Sequence, residues 1–489
     1  MSKDLKTRTA GTLKWNLVDR VASQVLYGVT GVVLARLLSP ADFGLVGAVL
    51  VFQAFSTILV DSGFSYALIQ RKDPTHLDYS TVLWFNIGTA AVLYIVLYAC
   101  APLIADCFQG DKRLVPLSRV LFLSLIVNAA SIVQTNRLMK RMEVRMVAVS
   151  NALGLALGAV AGVGGALAGW GAWAIVGQTL VNGMVRTAVL WTTSHWRPMW
   201  RFSWPVLRGF FGIGGRMMLT SFLNTIFLNV YAFLIGNRVG MTSLGYYTQA
   251  DKWSKMGIAS LSQVVTSSFL PTLSAVQDDD AGFAAACSKM NRFTSYVLFP
   301  VMLGLAVMAP TIFHVLFGAK WDPAIILFQI LLVRGIFGVF SALWNNFLLA
   351  RGHAGTILWL EILRDGVALV ALVLTFPYIT LSTGAAPTEG ITLLLAGQLL
   401  ASFVTWIVTL VVCVRVTRIR IGTYLSDMAP YLLMTLFCGA IVWAETLFVV
   451  SDGLRLIIQA ATGLGLYLIF NHIAGSGIQR DAFRYLGLK

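Results

Sequence analysis

Ala324–Ala350 reads AIILFQILLVRGIFGVFSALWNNFLLA, a run of 27 residues in which Arg334 is the only charged side chain. A helix rises about 1.5 Å per residue, so about 20 residues cross the ~30 Å hydrocarbon layer of a bilayer, and this run is long enough to span it. Thirteen further apolar runs lie along the chain with short connectors between them. The predicted spans are 12–38, 43–69, 79–105, 114–137, 143–167, 170–193, 207–235, 243–270, 288–316, 324–350, 355–378, 390–414, 423–447 and 454–475.

The composition agrees with a chain embedded in a membrane. Hydrophobic residues make up 57% of the 489 positions and charged residues only 12%, about half of the ~25% that is usual in soluble domains. A net charge of +15 would suggest nucleic acid as the partner of a soluble protein, but here the positions of the cations explain it. We therefore predict an all-α membrane protein of about 14 transmembrane helices that binds no nucleic acid.

Lys and Arg residues between the spans fall in every second connector, which predicts the orientation of the chain. Cytoplasmic connectors of membrane proteins carry an excess of Lys and Arg. One set of connectors, which includes both termini, holds Lys3, Lys6, Arg8, Arg71, Lys72, Lys140, Arg141, Arg197, Arg201, Arg351, Arg415, Arg418, Arg420, Arg480, Arg484 and Lys489. The other set holds little beyond Lys112, Arg113, Arg238 and Lys320. We expect a multi-pass protein with both termini in the cytoplasm.

Short matches about 200 positions apart predict an internal repeat. Phe43-Gly44 matches Leu244-Gly245, 201 positions later, and Ala101-Pro102 matches Ala309-Pro310, 208 positions later. Because the offset drifts slowly while the span order is kept, we predict a duplicated six-helix unit. An even number of spans leaves both copies in one orientation, so that they can enclose a central cavity open to alternate sides. The predicted domains are an N-terminal lobe at 1–205, a second lobe at 206–420, and two extra helices with a cytoplasmic tail at 421–489.

Three short segments carry a resemblance to a known family. They are LLSPADFG at 37–44, ALIQRK at 67–72 and DYSTV at 78–82. With them the chain resembles the polysaccharide transporter family, the Wzx-type flippases, of the multidrug/oligosaccharidyl-lipid/polysaccharide exporter superfamily. The resemblance implies that undecaprenyl-pyrophosphate-linked oligosaccharides are flipped across the bacterial inner membrane to its outer leaflet, with the lipid tail against the two extra helices. It also implies polysaccharide polymerase and chain-length machinery as candidate partners, and it assigns no catalytic residue.

Charges inside the predicted spans are the candidate functional groups, because an unpaired charge in lipid costs several kcal/mol. The cations proposed to bind substrate in a central cavity are Arg20, Arg216, Lys252, Lys255, Arg334 and Arg364. Such a surplus of cations suits a water-filled cavity that receives a diphosphate, since Arg offers paired hydrogen bonds and Lys a mobile charge.

Local neutralisation of three of these cations stays open as an alternative. Asp19 adjoins Arg20, and acids one helical turn away accompany two more cations. These pairs are Asp251 with Lys255 and Glu361 with Arg364.

Asp61 is an acid with no cation within one helical turn in the second span. A lone intramembrane acid either pairs with a group on another helix or takes up a proton as the cavity changes sides. Both interpretations stay open, and we treat Asp61 as a possible coupling acid.

The sequence predicts a transporter and not an enzyme. It has no phosphate-cradling GxxxxGK[ST], no HExxH and no GxSxG, so neither ATP hydrolysis nor a metal or cofactor is expected. Two alternatives remain: a cation-coupled multidrug exporter, and a membrane glycosyltransferase, ligase or polymerase of surface polysaccharide. The surplus of intramembrane cations argues against the exporter of cationic drugs, and the short outer connectors argue against the enzymes.

Overall fold

The structure, a computed structural model, describes residues 3–381, 388–449 and 451–485. Helices form nearly all of these residues, and no strand occurs among them. This confirms the predicted all-α membrane fold class, in which each spanning backbone satisfies its own N–H and C=O groups. The chain divides into two compact units, an N-terminal unit at Met1–Gly245 and a C-terminal unit at Tyr246–Lys489.

Ten helices belong to the N-terminal unit, and an eleventh begins there and continues into the C-terminal unit. They are α1 Lys3–Leu37, α2 Pro40–Asp61, α3 Phe64–Gln70, α4 His76–Ala99, α5 Ala101–Cys107, α6 Leu114–Leu121, α7 Leu123–Lys140, α8 Val144–Leu167, α9 Ala172–Thr193, α10 Trp204–Arg238 and α11 Met241–Ala275. The second, third and fourth predicted spans each correspond to two consecutive helices.

The C-terminal unit continues with seven α-helices and two short 3-10 turns among the described residues. The helices are α12 Asp280–Leu316, α13 Asp322–Ala350, α14 Ala354–Leu381, α15 Glu389–Thr417, α16 Ile421–Ala444, α17 Asp452–Ile473 and α18 Gly477–Tyr485. The 3-10 turns are Ala319–Trp321 and Glu445–Leu447. The sequence did not predict α18, which is too short to span and follows the last predicted span.

Eleven helical segments of the described chain are long and apolar enough to cross a membrane. They are Lys14–Leu37, Pro40–Gln70, His76–Ala99, Leu114–Lys140, Val144–Leu167, Gly214–Arg238, Asp280–Leu316, Ala319–Ala350, Glu389–Thr417, Ile421–Leu447 and Asp452–Ile473. The predicted spans within α9, α11 and α14 are helical but are not among these eleven long, apolar segments. Charged residues lie within all three helices, among them Arg186 of α9, Asp251 of α11 and Glu361 of α14. The count of fourteen therefore stays a prediction.

Two of the three segments that carry the family resemblance lie at the starts of helices, and ALIQRK at 67–72 lies at the end of α3. At the start of α2 the Ser39 hydroxyl accepts the Asp42 N–H at 3.3 Å, and the Asp42 carboxylate accepts the Ser39 N–H at 2.9 Å. Thr75 and Asp78 form the same reciprocal cap at the start of α4, with distances of 3.2 and 2.7 Å. Each cap satisfies amide groups that have no partner within the helix, which fixes where the helix begins.

The repeated glycines lie where the starts of α2 and α11 meet. A Cβ on Gly44 would overlap the carbonyl oxygen of Met241, and a Cβ on Gly245 would overlap the carbonyl oxygen of Pro40. The two backbones thus approach reciprocally, and glycine alone allows this distance. The division into 1–205, 206–420 and 421–489 stays a prediction. The first compact unit ends at Gly245 in the sequence, and the second begins at Tyr246.

Candidate functional site

Asp61 lies at a break in the second span. Ser62 and Gly63 adopt left-handed backbone angles, with φ of 48° and 69°, so α2 ends at Asp61 and α3 starts anew at Phe64. The Ser65 hydroxyl donates to the Asp61 carboxylate. Asn136 of α7 donates its side-chain N–H to that Ser65 oxygen at 2.7 Å. No ion pair of the described residues includes Asp61, so its partners are neutral groups.

Arg20 and its neighbour Asp19 lie on α1 but do not pair with each other. The Asp19 carboxylate instead accepts the side-chain N–H of Asn151 on α8 at 3.2 Å and the Ser23 hydroxyl at 3.4 Å. The half-buried Arg20 has no ion-pair or hydrogen-bond partner for its side chain within the described ranges. The alternative of local neutralisation by Asp19 therefore does not hold for Arg20 in this structure.

Arg216 and Arg334 also lack a carboxylate partner among the residues that the structure describes. Arg216 is exposed on α10, and Arg334 is half-buried on α13. A Cβ on Gly335 would overlap the side chain of Ile258. The turn of α13 that carries Arg334 therefore packs beside α11, one turn beyond Lys255.

The two lysines of α11 have different surroundings. Lys255 pairs with Asp251 at 2.6 Å, as the i,i+4 spacing allows, and its side chain is half exposed. The half-buried Lys252 places its ammonium 5.2 Å from the ring centre of Trp253, a distance at which a cation attracts an aromatic face. Local neutralisation thus applies to Lys255.

Arg364 belongs to a polar cluster within the C-terminal unit. Its guanidinium contacts Glu361 at 2.5 Å and Asp365 at 2.9 Å. Asn345 of α13 donates to Glu361 at 3.4 Å, and its amide oxygen is buried without a partner. A small cavity of about 130 Å³ between α13, α14 and α15 adjoins this cluster. With two acids on one cation, Arg364 is locally neutralised.

The structure therefore sorts five of the six predicted cations into two groups. Arg20, Arg216 and Arg334 have no acidic partner in the described part of the chain, whereas Lys255 and Arg364 have one or two. Convergence of all six cations on one space stays a prediction. No cluster of three or more His, Cys, Asp or Glu among the described residues is placed to hold a metal ion.

A cavity of about 530 Å³ lies between α12, α16 and α17, and the sequence did not locate its residues. It follows α12 from Tyr296 to Met308, a length of about 18 Å at ~1.5 Å per residue. Its walls are mainly apolar side chains, with one glycine facing it from each helix. These glycines are Gly304, Gly439 and Gly463. In the sequence, only the glycines of these three spans could have indicated the cavity, and glycines in spans equally indicate close helix packing.

One ion pair lies in a connector, and a second joins the first part of α12 to α18. Arg113, in the connector after α5, pairs with Asp111 at 2.7 Å. This hydrogen-bonded pair lowers the pKa of the Asp111 carboxyl. Asp481 of α18 accepts a hydrogen bond from Lys289 of α12, and this bond lowers the pKa of the Asp481 carboxyl. Ion pairs whose cation is exposed in this way contribute little to the free energy of unfolding.

Comparison with known proteins matches most of the chain to proteins of polysaccharide biosynthesis. Residues 33–326 match the family described as "Polysaccharide biosynthesis protein". Teichuronic acid biosynthesis protein TuaB of Bacillus subtilis is 25% identical over 469 residues, which cover 93% of each chain. Succinoglycan biosynthesis transport protein ExoT of Rhizobium meliloti is 26% identical and covers 73% of this chain and 72% of its own.

A solved structure shares the fold over almost the whole length. The lipid II flippase MurJ, in an inward closed conformation, superposes with a TM-score of 0.71 over 97% of this chain and 99% of its own, at 14% sequence identity. Identity at that level relates the two folds and not their substrates.

Proposed function

Since the chain belongs to the family of polysaccharide biosynthesis proteins, we propose that it flips undecaprenyl-pyrophosphate-linked oligosaccharide units from the cytoplasmic to the outer leaflet of a bacterial inner membrane. The carrier's tail stays in lipid and in the cavity along α12, while its diphosphate and sugars cross through a water-filled space. The protein exposes that space to the two faces of the membrane in turn. The cavity between α12, α16 and α17 is the observation that carries the proposal.

The cavity suits a long, apolar and flexible chain. It follows α12 for about 18 Å, and its volume of about 530 Å³ lies within the range of small-molecule sites. A polyprenyl tail that moves from lipid into the cavity gains little hydrophobic free energy, because lipid is as apolar as the cavity wall. The cavity therefore fixes the position of the carrier rather than supplying most of its affinity.

The cations without acidic partners supply affinity for the diphosphate. An intramembrane arginine without a counter-charge is costly, and a bound phosphate would relieve that cost. Arginine also makes paired, charge-assisted hydrogen bonds to phosphate oxygens. We infer that Arg20, Arg216 and Arg334 contact the diphosphate. Lys252, whose ammonium lies 5.2 Å from the ring centre of Trp253, is proposed to contact it as well on the strength of its position on α11 and not of a missing partner. Lys255 and Arg364 contribute less, because Asp251, Glu361 and Asp365 already neutralise them.

Asp61 is the proposed coupling acid. Its carboxylate lies at the break between α2 and α3 and accepts a hydrogen bond from Ser65, which in turn accepts one from Asn136. A carboxylate held by neutral groups can gain a proton without breaking an ion pair. Protonation there would change the charge at the point where the span is interrupted.

Filling the cavity tests the proposal. A Cβ on Gly304 meets open space, so Gly304→Phe places a ring in the cavity with no clash at the backbone. Native mass spectrometry of the purified full chain counts bound undecaprenyl pyrophosphate. We expect Gly304→Phe to bind measurably less lipid than the wild type, because the ring occupies the space that positions the tail. The matched control is Gly164→Phe, at an exposed helical glycine of α8 that also has open space around it.

The control should bind the lipid as the wild type does. Equal binding by Gly304→Phe and the wild type would contradict a role of this cavity in holding the tail. Expression and thermal melting of both variants verify that each is folded.

A further inference from the structure

The connector between α9 and α10, residues 194–203, is hydrogen-bonded to side chains of α4. The Met199 N–H donates to the Ser80 hydroxyl at 3.0 Å, and the Ser203 N–H donates to the Thr81 hydroxyl at 3.3 Å. The Trp84 indole N–H donates to the carbonyl oxygen of Met199 at 2.8 Å. Side chains of α4 therefore satisfy the connector's backbone groups, which allows an irregular segment to lie beside a membrane helix.

These hydrogen bonds place the connector at the depth of the membrane interface. Ser80, Thr81 and Trp84 lie four to eight positions after His76, the first residue of the apolar helix α4. At ~1.5 Å per residue they are about 6 to 12 Å along that helix. Lipid headgroups and the upper parts of acyl chains occupy this depth. With His76 at the membrane surface, as the candidate span His76–Ala99 implies, the outward side of the connector meets lipid.

Aromatic rings at the end of the connector and the start of α10 are exposed, and one of them is held by a stacking contact. Trp200 is 89% exposed, yet its ring stacks on Trp84 with centroids 4.6 Å apart and an angle of 29°. Phe202 and Trp204 follow it and are also exposed. Tryptophan favours the boundary between headgroups and acyl chains, because it has both a large apolar ring and a polar N–H.

Two arginines alternate with these rings. Arg197 donates to the carbonyl oxygens of Trp191 and Trp196 at 2.7 and 3.0 Å, so its position is fixed. Arg201 is exposed. In the described residues neither guanidinium pairs with a carboxylate, and the predicted topology places both on the cytoplasmic side. Their charges are available to an anion from the bilayer.

We propose that this connector binds the headgroup of an anionic phospholipid, with the Trp200 ring against its upper acyl chains and Arg197 and Arg201 on its phosphate. Guanidinium groups recognise phosphate oxygens through paired hydrogen bonds. Basic residues beside a membrane attract anionic lipid by about fivefold in affinity per residue. The occupant is a bulk membrane lipid and not the transported carrier, so this inference does not depend on the proposed function.

Photoreactive lipids test the site on the full chain. The protein is placed in phosphatidylcholine nanodiscs with a trace of a photoreactive phosphatidylglycerol or phosphatidylcholine, and adducts on residues 195–204 are counted by mass spectrometry. We expect the anionic lipid to label this segment several-fold more than the zwitterionic one. Arg201→Gln should reduce the preference by about fivefold, and Arg201→Lys should keep most of it.

The control variant is Arg420→Gln, which removes an exposed arginine from the connector before α16 and should leave labelling of 195–204 unchanged. Equal labelling by the two lipids in the wild type would overturn the proposal. So would an Arg201→Gln variant that keeps the full preference. A fall in labelling by both lipids alike would mean that the segment had moved, and it would also overturn recognition of the headgroup.

Discussion

Replacement of Arg216 by Gln should weaken binding of the diphosphate carrier. Arg216 lies on α10 without a carboxylate partner in the described structure, so the substitution breaks no ion pair there and leaves no orphaned acid. Loss of one charge-assisted contact costs about 1.5–3 kcal/mol, which corresponds to roughly 10- to 150-fold in Kd. Because Arg216 is exposed, water screens its charge and we expect a change near the lower limit, about tenfold.

Arg208→Gln is the matched control for that measurement. Arg208 is an exposed arginine two turns earlier on α10, and it too lacks an acidic partner among the described residues. Titration of the detergent-purified variants with undecaprenyl pyrophosphate should show a raised Kd for Arg216→Gln only. Equal Kd values for the wild type and Arg216→Gln would refute the assignment of this arginine to the diphosphate. An equal rise in both variants would indicate a general effect of net charge.

Three further outcomes are expected. Gly44→Val should lower the melting temperature by the equivalent of at least ~1–3 kcal/mol, because its side chain would overlap the backbone at the start of α11, whereas Gly164→Val should not. Asp61→Asn should keep the hydrogen bond to Ser65 and the fold, while transport measured in vesicles loses its dependence on an imposed ion gradient. Unchanged gradient dependence would exclude Asp61 as the coupling acid. Asp427→Asn should lower stability by ~1–2 kcal/mol, since the buried side chain loses its charge beside the half-exposed Arg292 at 3.3 Å, while its amide oxygen can still accept the Ser288 hydroxyl. A larger loss in thermal melts would show that water does not screen this pair.

Hydropathy and short motifs were sufficient for the fold class and the family. Long apolar runs predict helices in a bilayer, because lipid cannot hydrogen-bond the backbone and a helix satisfies its N–H and C=O groups within its own segment. The resemblance carried by LLSPADFG is confirmed by the family match. The relatives matched by sequence are named for polysaccharide biosynthesis and transport, which agrees with the prediction of a transporter and not an enzyme.

The surroundings of the charged residues could be predicted only in part. The acids near Lys255 and Arg364 lie one turn away on the same helix, so sequence spacing was enough to indicate those pairs. Asp19 adjoins Arg20 in sequence, but consecutive helical residues point in different directions, and Asp19 contacts Asn151 of another helix. Contacts between helices depend on packing angles that no local pattern encodes.

The cavity along α12 illustrates the same limit. It exists where Gly304, Gly439 and Gly463 of three helices face it, and each glycine alone equally predicts close packing. The sequence suggested only that the tail lies against the two extra helices. The lining residues follow from the arrangement of α12, α16 and α17 in space.

Transport by the purified full chain in proteoliposomes is the most direct test of the flippase. A fluorescent undecaprenyl-pyrophosphate oligosaccharide is placed in one leaflet, and its appearance in the other is followed by a membrane-impermeant quencher. A cationic drug in identical vesicles serves as the alternative substrate. We predict rapid flipping of the diphosphate lipid, little transport of the drug, and slower flipping by Arg216→Gln than by Arg208→Gln. Transport of the drug with no flipping of the lipid would contradict the proposed function.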